Sequence, residues 1–185
     1  DLTYRTDISS TLPVENNQYD YISAGLSAIL SDMIELPSAF DYFKVRASYA
    51  EVGNDTDPYQ LSRAANLQNG GFIALSTSAP ASDLRPEKTT SFEIGFDTTL
   101  FNRINLDFTY YKSNSVDQLF RQNVPQGSGI ATKFINGADI ENSGIEAAIN
   151  VGVFTKGDFQ WDVNFNYAAN RSMVLRLAEG LDQLN

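Results

Sequence analysis

Hydrophobic and polar residues alternate with a period of two along most of the chain. Phe92, Ile94, Phe96, Thr98 and Leu100 share one face of a run, and Ser91, Glu93, Gly95, Asp97 and Thr99 share the other. The same pattern places Ile104, Leu106, Phe108 and Tyr110 opposite Asn105, Asp107, Thr109 and Tyr111. Ile145, Ala147, Ile149, Val151 and Val153 then face away from Glu146, Asn150 and Gly152. Phe159, Trp161, Val163, Phe165 and Tyr167 alternate with Gln160, Asp162, Asn164 and Asn166. Weaker versions begin at Leu2 and at Phe43. Side chains alternate faces in a strand, so each run is a ribbon with one apolar and one polar side. Strands are predicted over 1–12, 19–31, 41–53, 88–100, 104–120, 134–153 and 159–175. From Ile22 onward, Ile22, Leu26, Ile29, Leu30, Met33 and Ile34 would also line one side of a helix. The neighbouring strands favour a strand there.

The connections alternate in length. Phe101-Asn102-Arg103 and Thr155-Lys156-Gly157-Asp158 are tight, whereas long excursions run over about 54–87 and 113–134. Short turns at one end and long loops at the other describe an up-and-down transmembrane barrel better than a soluble sandwich. A strand of about eleven residues at roughly 3.3 Å each, tilted about 45°, rises about 26 Å, close to the ~25 Å apolar band of such barrels. The fold class expected is therefore all-β, an antiparallel up-and-down transmembrane β-barrel segment. Its strand count, about seven, is odd where bacterial single-chain barrels are even. The expectation is that residues 1–185 are a fragment of the barrel domain, with the remaining strands and any plug domain lying elsewhere.

Composition agrees. The 185 residues include 13 Lys plus Arg and 23 Asp plus Glu, for a formal charge of −10. That balance repels phosphate backbones and argues against nucleic acid as a partner. There is no Cys and no His, which excludes disulfides, thiolate zinc sites, Cys nucleophiles and a Ser–His–Asp triad. Aromatic residues reach 12%, yet no stretch offers the ~20 apolar residues of a spanning helix.

Candidate chemistry is sparse. Asn54-Asp55-Thr56-Asp57-Pro58-Tyr59 clusters oxygen donors, but it lacks the sixth-position Gly and distal Glu of a calcium loop and reads as a turn. Glu93, Asp97, Asp107, Glu146 and Asp162 fall on polar strand faces, where a barrel places lumen side chains rather than a catalytic pair. Gln126-Gly127-Ser128-Gly129 lacks the Lys of a phosphate loop. Tyr4, Tyr19, Tyr21, Tyr110, Tyr111, Tyr167 and Trp161 are expected in the interfacial aromatic girdles. Asn54, Asp57, Tyr59 and Phe72 are the loop residues placed to contact a substrate. No catalytic residue, cofactor or metal is expected.

Leu84-Arg85-Pro86-Glu87-Lys88-Thr89-Thr90-Ser91-Phe92-Glu93-Ile94-Gly95 resembles a strand-opening motif of TonB-dependent outer-membrane transporters. Arg5 to Pro13, Phe43 to Tyr49, Val52-Gly53-Asn54-Asp55 and Asn142-Ser143-Gly144-Ile145-Glu146 follow in the order of the SusC/RagA branch, across nearly the whole chain. Ile8 departs from it, where an aromatic residue would be expected. The resemblance implies a barrel of about 22 strands in the outer membrane of a Bacteroidota-type bacterium. It also implies import of large nutrients, usually oligosaccharides and sometimes peptides. The implied partners are a SusD-like surface lipoprotein, outer-membrane lipid and a TonB complex reached through an N-terminal part not present here. Arg85, Pro86, Glu87, Glu93, Gly95, Gly144 and Glu146 carry the motifs in structural roles. A soluble or surface-attached all-β glycan-binding or adhesin module is the alternative, and a β-sandwich enzyme a distant third.

Overall fold

A computed structural model describes residues 1–125, 127 and 129–178. Strands β1 (Leu2–Ile8), β2 (Gln18–Ile29) and β3 (Phe40–Asn54) come first. A small hairpin follows, β4 (Ala65–Leu67) with β5 (Ile73–Leu75). The long strands β6 (Glu87–Leu100), β7 (Ile104–Asn123), β8 (Thr132–Lys156) and β9 (Phe159–Leu177) complete the described chain. All but the hairpin form one antiparallel seven-stranded sheet in the order β1-β2-β3-β6-β7-β8-β9, with β1 and β9 at its edges.

Register turns the sequence alternation into two continuous faces. Leu26, Ala47, Ile94, Tyr110, Ile145 and Ala169 sit side by side across six strands. The adjacent row is Ser27, Arg46, Gly95, Thr109, Glu146 and Ala168. Among the described residues the apolar face has no protein cover: Leu26 is 72% and Ile94 48% exposed. Phe96 stacks on Phe108 with ring centroids 5.6 Å apart, and Phe43 lies 6.0 Å from Phe96. Such a face suits lipid.

This apolar face ends abruptly. On the same side of the sheet, Lys88 pairs with Glu51 at 3.0 Å and Lys112 with Glu141 at 2.9 Å. Below them the face stays largely apolar down to the tight turns. From Lys88 to Leu100 is a strand length of about 40 Å, or about 28 Å of height at a 45° tilt. At the turn end, Phe101 and Asn102 both take left-handed backbone (φ 53 and 50), the pattern of a primed hairpin turn. Asp41 holds that turn, accepting from the Asn102 backbone N–H and, at 2.8 Å, from its side-chain amide. Gly157 supplies the second turn at φ 60. Segments 9–17 and 55–86, and the described residues between β7 and β8, connect strands at the opposite end.

The enclosed core sits at that opposite end. Leu12, Ala81 and Leu84 are buried there together, packed by Tyr19, Leu119 and Phe134.

Several boundaries differ from the sequence reading. β1 stops at Ile8 rather than 12, and 14–16 form a 3-10 turn. The strand reading of 21–31 holds to Ile29, and Leu30–Met33 make one helical turn. β7 continues to Asn123 and β8 starts at Thr132, so much of the expected 113–134 excursion is strand. The pairing shifts between Ser115 and Gln118, with Asp117 at φ 55, and such a bulge erases the alternation that marks a strand. Gln126 and Ser128 of the glycine-rich tip, and the chain end beyond 178, lie outside the described residues.

Candidate functional site

The polar face is a wall with one organising cation. Arg46 on β3 is paired directly with Gly95 on β6, and Gly95 with Thr109 on β7. With no side chain at 95, the guanidinium crosses β6 and reaches two strands away. It ion-pairs with Asp97, donates at 3.2 Å to Asp107, and donates at 2.6 Å to Thr109 Oγ1. A Cβ on residue 95 would come within 2.6 Å of the Phe108 carbonyl oxygen and 3.1 Å of the guanidinium. Lys44 adds a weaker contact to Asp97 at 3.7 Å. Asp97 and Asp107 face each other across β6 and β7, so the two cations offset a like-charge pair. Gly144 plays the corresponding part under Tyr111, whose hydroxyl reaches over it towards Asn170.

Further along β8 and β9 the wall is amidic. Asn150 donates to Asn164, and Ser172 donates to Asn142. Glu93 and Glu146 carry no ion pair among the described residues, and Asp162 accepts from Gln160 at 2.7 Å. Of the five acids read onto this face, Asp97 and Asp107 are offset by Lys44 and Arg46, and Asp7, which the register places on the same face, is offset by Arg5. A net charge of about −3 remains at Glu93, Glu146 and Asp162.

The outer rim is built by the Arg85-Pro86-Glu87 motif. The Asn136 side chain grips both backbone groups of Arg85, accepting from its N–H at 2.9 Å and donating to its carbonyl at 2.8 Å. The Arg85 guanidinium meets Asp117 at 2.9 Å, and Arg176 spans Asp117 and Asp139. Glu87 accepts from the Leu119 N–H at 2.6 Å and from Asn54 Nδ2 at 3.0 Å. The motif thus locks the return of the 55–86 loop onto the β7 bulge. Asn136, Asp117, Asp139 and Arg176 went unnoticed in the sequence because each meets its partner through a shifted strand register.

The other expected loop contacts are dispersed. Asp55 accepts from Ser9 and Thr11, tying two loops together instead of opening towards a cation. Among the described residues, no three His, Cys, Asp or Glu side chains are grouped to hold a metal. Tyr59 is 86% exposed with φ 66, and Phe72 stands at the tip of the β4–β5 hairpin. Asp57 lies nearby in the chain. The girdle expectation needs correction for three tyrosines. Tyr19 and Tyr21 pair with Asp7 and Arg5, and Tyr111 covers Gly144, all by register on the polar side. Tyr4, Tyr110, Tyr167 and Trp161 lie in the apolar register.

Proteins of known family share the sequence and the fold of this antiparallel sheet. The family described as TonB dependent receptor-like, beta-barrel matches residues 3–181. The chain belongs to that family. It is 30% identical to TonB-dependent receptor P3 of Formosa agariphila over 97% of this chain and 19% of that protein. TonB-dependent receptor P39 of the same organism is 34% identical over 74% of the chain and 14% of its own length. The chain therefore spans about a fifth or less of these curated relatives. Among solved structures, the RagAB peptide importer in its closed-closed state superposes with a TM-score of 0.84 at 23% identity, covering 98% of this chain and 21% of that one. The siderophore receptor PirA from Acinetobacter baumannii gives a TM-score of 0.57 at 18% identity, over 90% of this chain and 24% of its own. The SusC/RagA resemblance read from the motifs thus agrees with the fold of RagAB.

Proposed function

We propose that these residues form part of the wall of an outer-membrane transporter of the SusC/RagA type. The whole protein imports nutrients too large for simple pores, oligosaccharides foremost, with a SusD-like lipoprotein at its outer face. Energy comes from a TonB complex acting through parts of the protein beyond this segment, a plug domain among them. Residues 1–185 are then a piece of a barrel whose other strands pair with β1 and β9. The observation that carries the reading is the two-faced sheet: an apolar outside closed off by ion pairs, and a charged, amide-rich inside. Such a wall supports transport by binding and displacement, with no covalent step. A peptide cargo is the second reading, favoured by the likeness to a peptide importer.

The test uses the full-length protein. Heat-modifiable migration in detergent is expected, together with TonB-dependent growth on an oligosaccharide or peptide that is lost on deletion of the gene. A detergent-independent, soluble full-length protein would place the chain in the alternative class of glycan-binding or adhesin modules.

A further inference from the structure

Two ion pairs close the apolar face, but one cation in the row of Lys112 has no acid beside it. Register carries that row across the last four strands: Phe92 opposite Lys112, Lys112 opposite Ser143, and Ser143 opposite Arg171. Arg171 follows Phe165, Tyr167 and Ala169 at alternate positions of β9, so it leaves the sheet on the apolar side. Lys112 has Glu141, in the next outward row, at 2.9 Å. Arg171 is exposed and makes no hydrogen bond or ion pair among the described residues. Two cations and one carboxylate leave this patch with a net +1, on a chain whose total is −10.

The row is shaped as well as charged. β7 and β9 flank β8, so the Cα atoms of Lys112 and Arg171 lie two strand spacings apart, about 10 Å. Between them stands Ser143, a short side chain whose hydroxyl has no partner among the described residues. Two long cations on either side of a short hydroxyl make a notch, and a single tetrahedral oxyanion seated there is within reach of all three. Lys112 has donors to spare, because an ammonium carries three N–H groups and Glu141 engages one. A guanidinium without a carboxylate is a fork matched to phosphate oxygens.

The residues beneath the notch distinguish a free ion from a lipid. Next towards the turns come Tyr110, Ile145 and Ala169, and then Phe108, Ala147 and Tyr167. Ala147 sits between two rings and Ala169 follows Arg171 on the same face, so small residues form a trough that leads into the apolar band. Inorganic phosphate gains nothing from that trough, whereas an acyl chain below a phosphorylated headgroup fills it by van der Waals contact. Snorkelling takes a lone cation to the headgroup level, but it does not set two cations around a hydroxyl in one row. We propose that Lys112, Ser143 and Arg171 bind the phosphate of an outer-leaflet lipid, an inference that rests on the outer-membrane reading above.

The test is native mass spectrometry of the full-length protein, titrated with diphosphoryl lipid A or with the same lipid stripped of its phosphates. The phosphorylated form should bind about tenfold more tightly. Arg171→Gln and Lys112→Gln each remove a charge-assisted hydrogen bond and should each weaken that binding about tenfold. Arg103→Gln, at the tight turn, should leave it unchanged, and heat-modifiable migration should stay intact in all three variants. Should Lys112→Gln fail to assemble, having stripped Glu141 of its partner, Arg171→Gln decides alone. Equal binding of the two lipid forms, or equal affinity of the unmodified protein and Arg171→Gln, overturns the site and leaves the transporter reading standing. Inorganic phosphate that binds as tightly as the lipid, with the same dependence on Arg171, overturns the lipid as occupant. A full-length protein that stays soluble without detergent overturns both the site and the membrane reading.

Discussion

Ile94→Arg is the sharpest test of which face meets lipid. Ile94 lies midway between Leu100 at the turn and Lys88 at the charged boundary, six residues from each. On either side it is flanked by Ala47 and Tyr110, with no basic or acidic group in its row. A guanidinium there sits about 14 Å from either boundary at a 45° tilt, near the midplane. The expected cost is about 2–4 kcal/mol, and 3 kcal/mol corresponds to roughly a hundredfold loss in the folded-to-unfolded ratio. Leu100→Arg, at the turn, should cost about 0–1 kcal/mol. Asn164→Arg, on the amide-rich face, should be similarly mild. The measurement is denaturant unfolding of the full-length protein in vesicles, followed by heat-modifiable migration. Equal midpoints for Ile94→Arg and Asn164→Arg would refute the assignment of faces, and equal midpoints for Ile94→Arg and Leu100→Arg would refute the position of the band.

Three further outcomes follow from the wall and the rim. Gly95→Ala forces a Cβ to within 2.6 Å of the Phe108 carbonyl oxygen and should cost about 1–3 kcal/mol. Gly152→Ala, whose Cβ meets nothing closer than 3.6 Å, should be near neutral, and matching unfolding midpoints would contradict the close-approach argument. Protease added to intact cells should cut within 55–86 or 124–131 and spare Gly157 and Asn102; external cleavage at Gly157 would invert the topology. The net −3 of the inner wall should make the full-length complex prefer a desulfated polymer over its sulfated form, most clearly at low ionic strength. Competition binding that favours the sulfated form under those conditions would reverse that expectation.

The strands of the sheet were legible because period-two alternation survives wherever one face meets lipid and the other water. Phe92 to Leu100 and Phe159 to Tyr167 are the clear instances. Legibility failed where that contrast ends. Above the charged boundary both faces of β7 and β8 meet water or loops, so the strand predicted to residue 120 stops short of Arg121 to Asn123, which carry no alternation although they are strand. The β4–β5 hairpin was missed for a different reason: three-residue strands are too short to show a period. The motif residues Arg85 and Glu87 were recognisable by resemblance, but their partners Asn136, Asp117 and Asp139 depend on a bulge whose position no local pattern marks. Tyr19, Tyr21 and Tyr111 misled because a tyrosine suits an interface and a crowded polar wall equally well.

The long strands overshoot the charged boundary. β7 runs from Lys112 at that boundary to Asn123, about 36 Å of further strand and about 25 Å of height at a 45° tilt. At β7 the sheet thus rises beyond that boundary by nearly one hydrocarbon thickness, whereas β6 begins at Glu87, beside it. A macromolecule approaching from outside meets a parapet of hydrogen-bonded backbone well before it meets headgroups. That elevation makes the upper rim of β7 and β8, rather than the level of the charged pairs, the first part of the sheet that anything approaching from this end would touch.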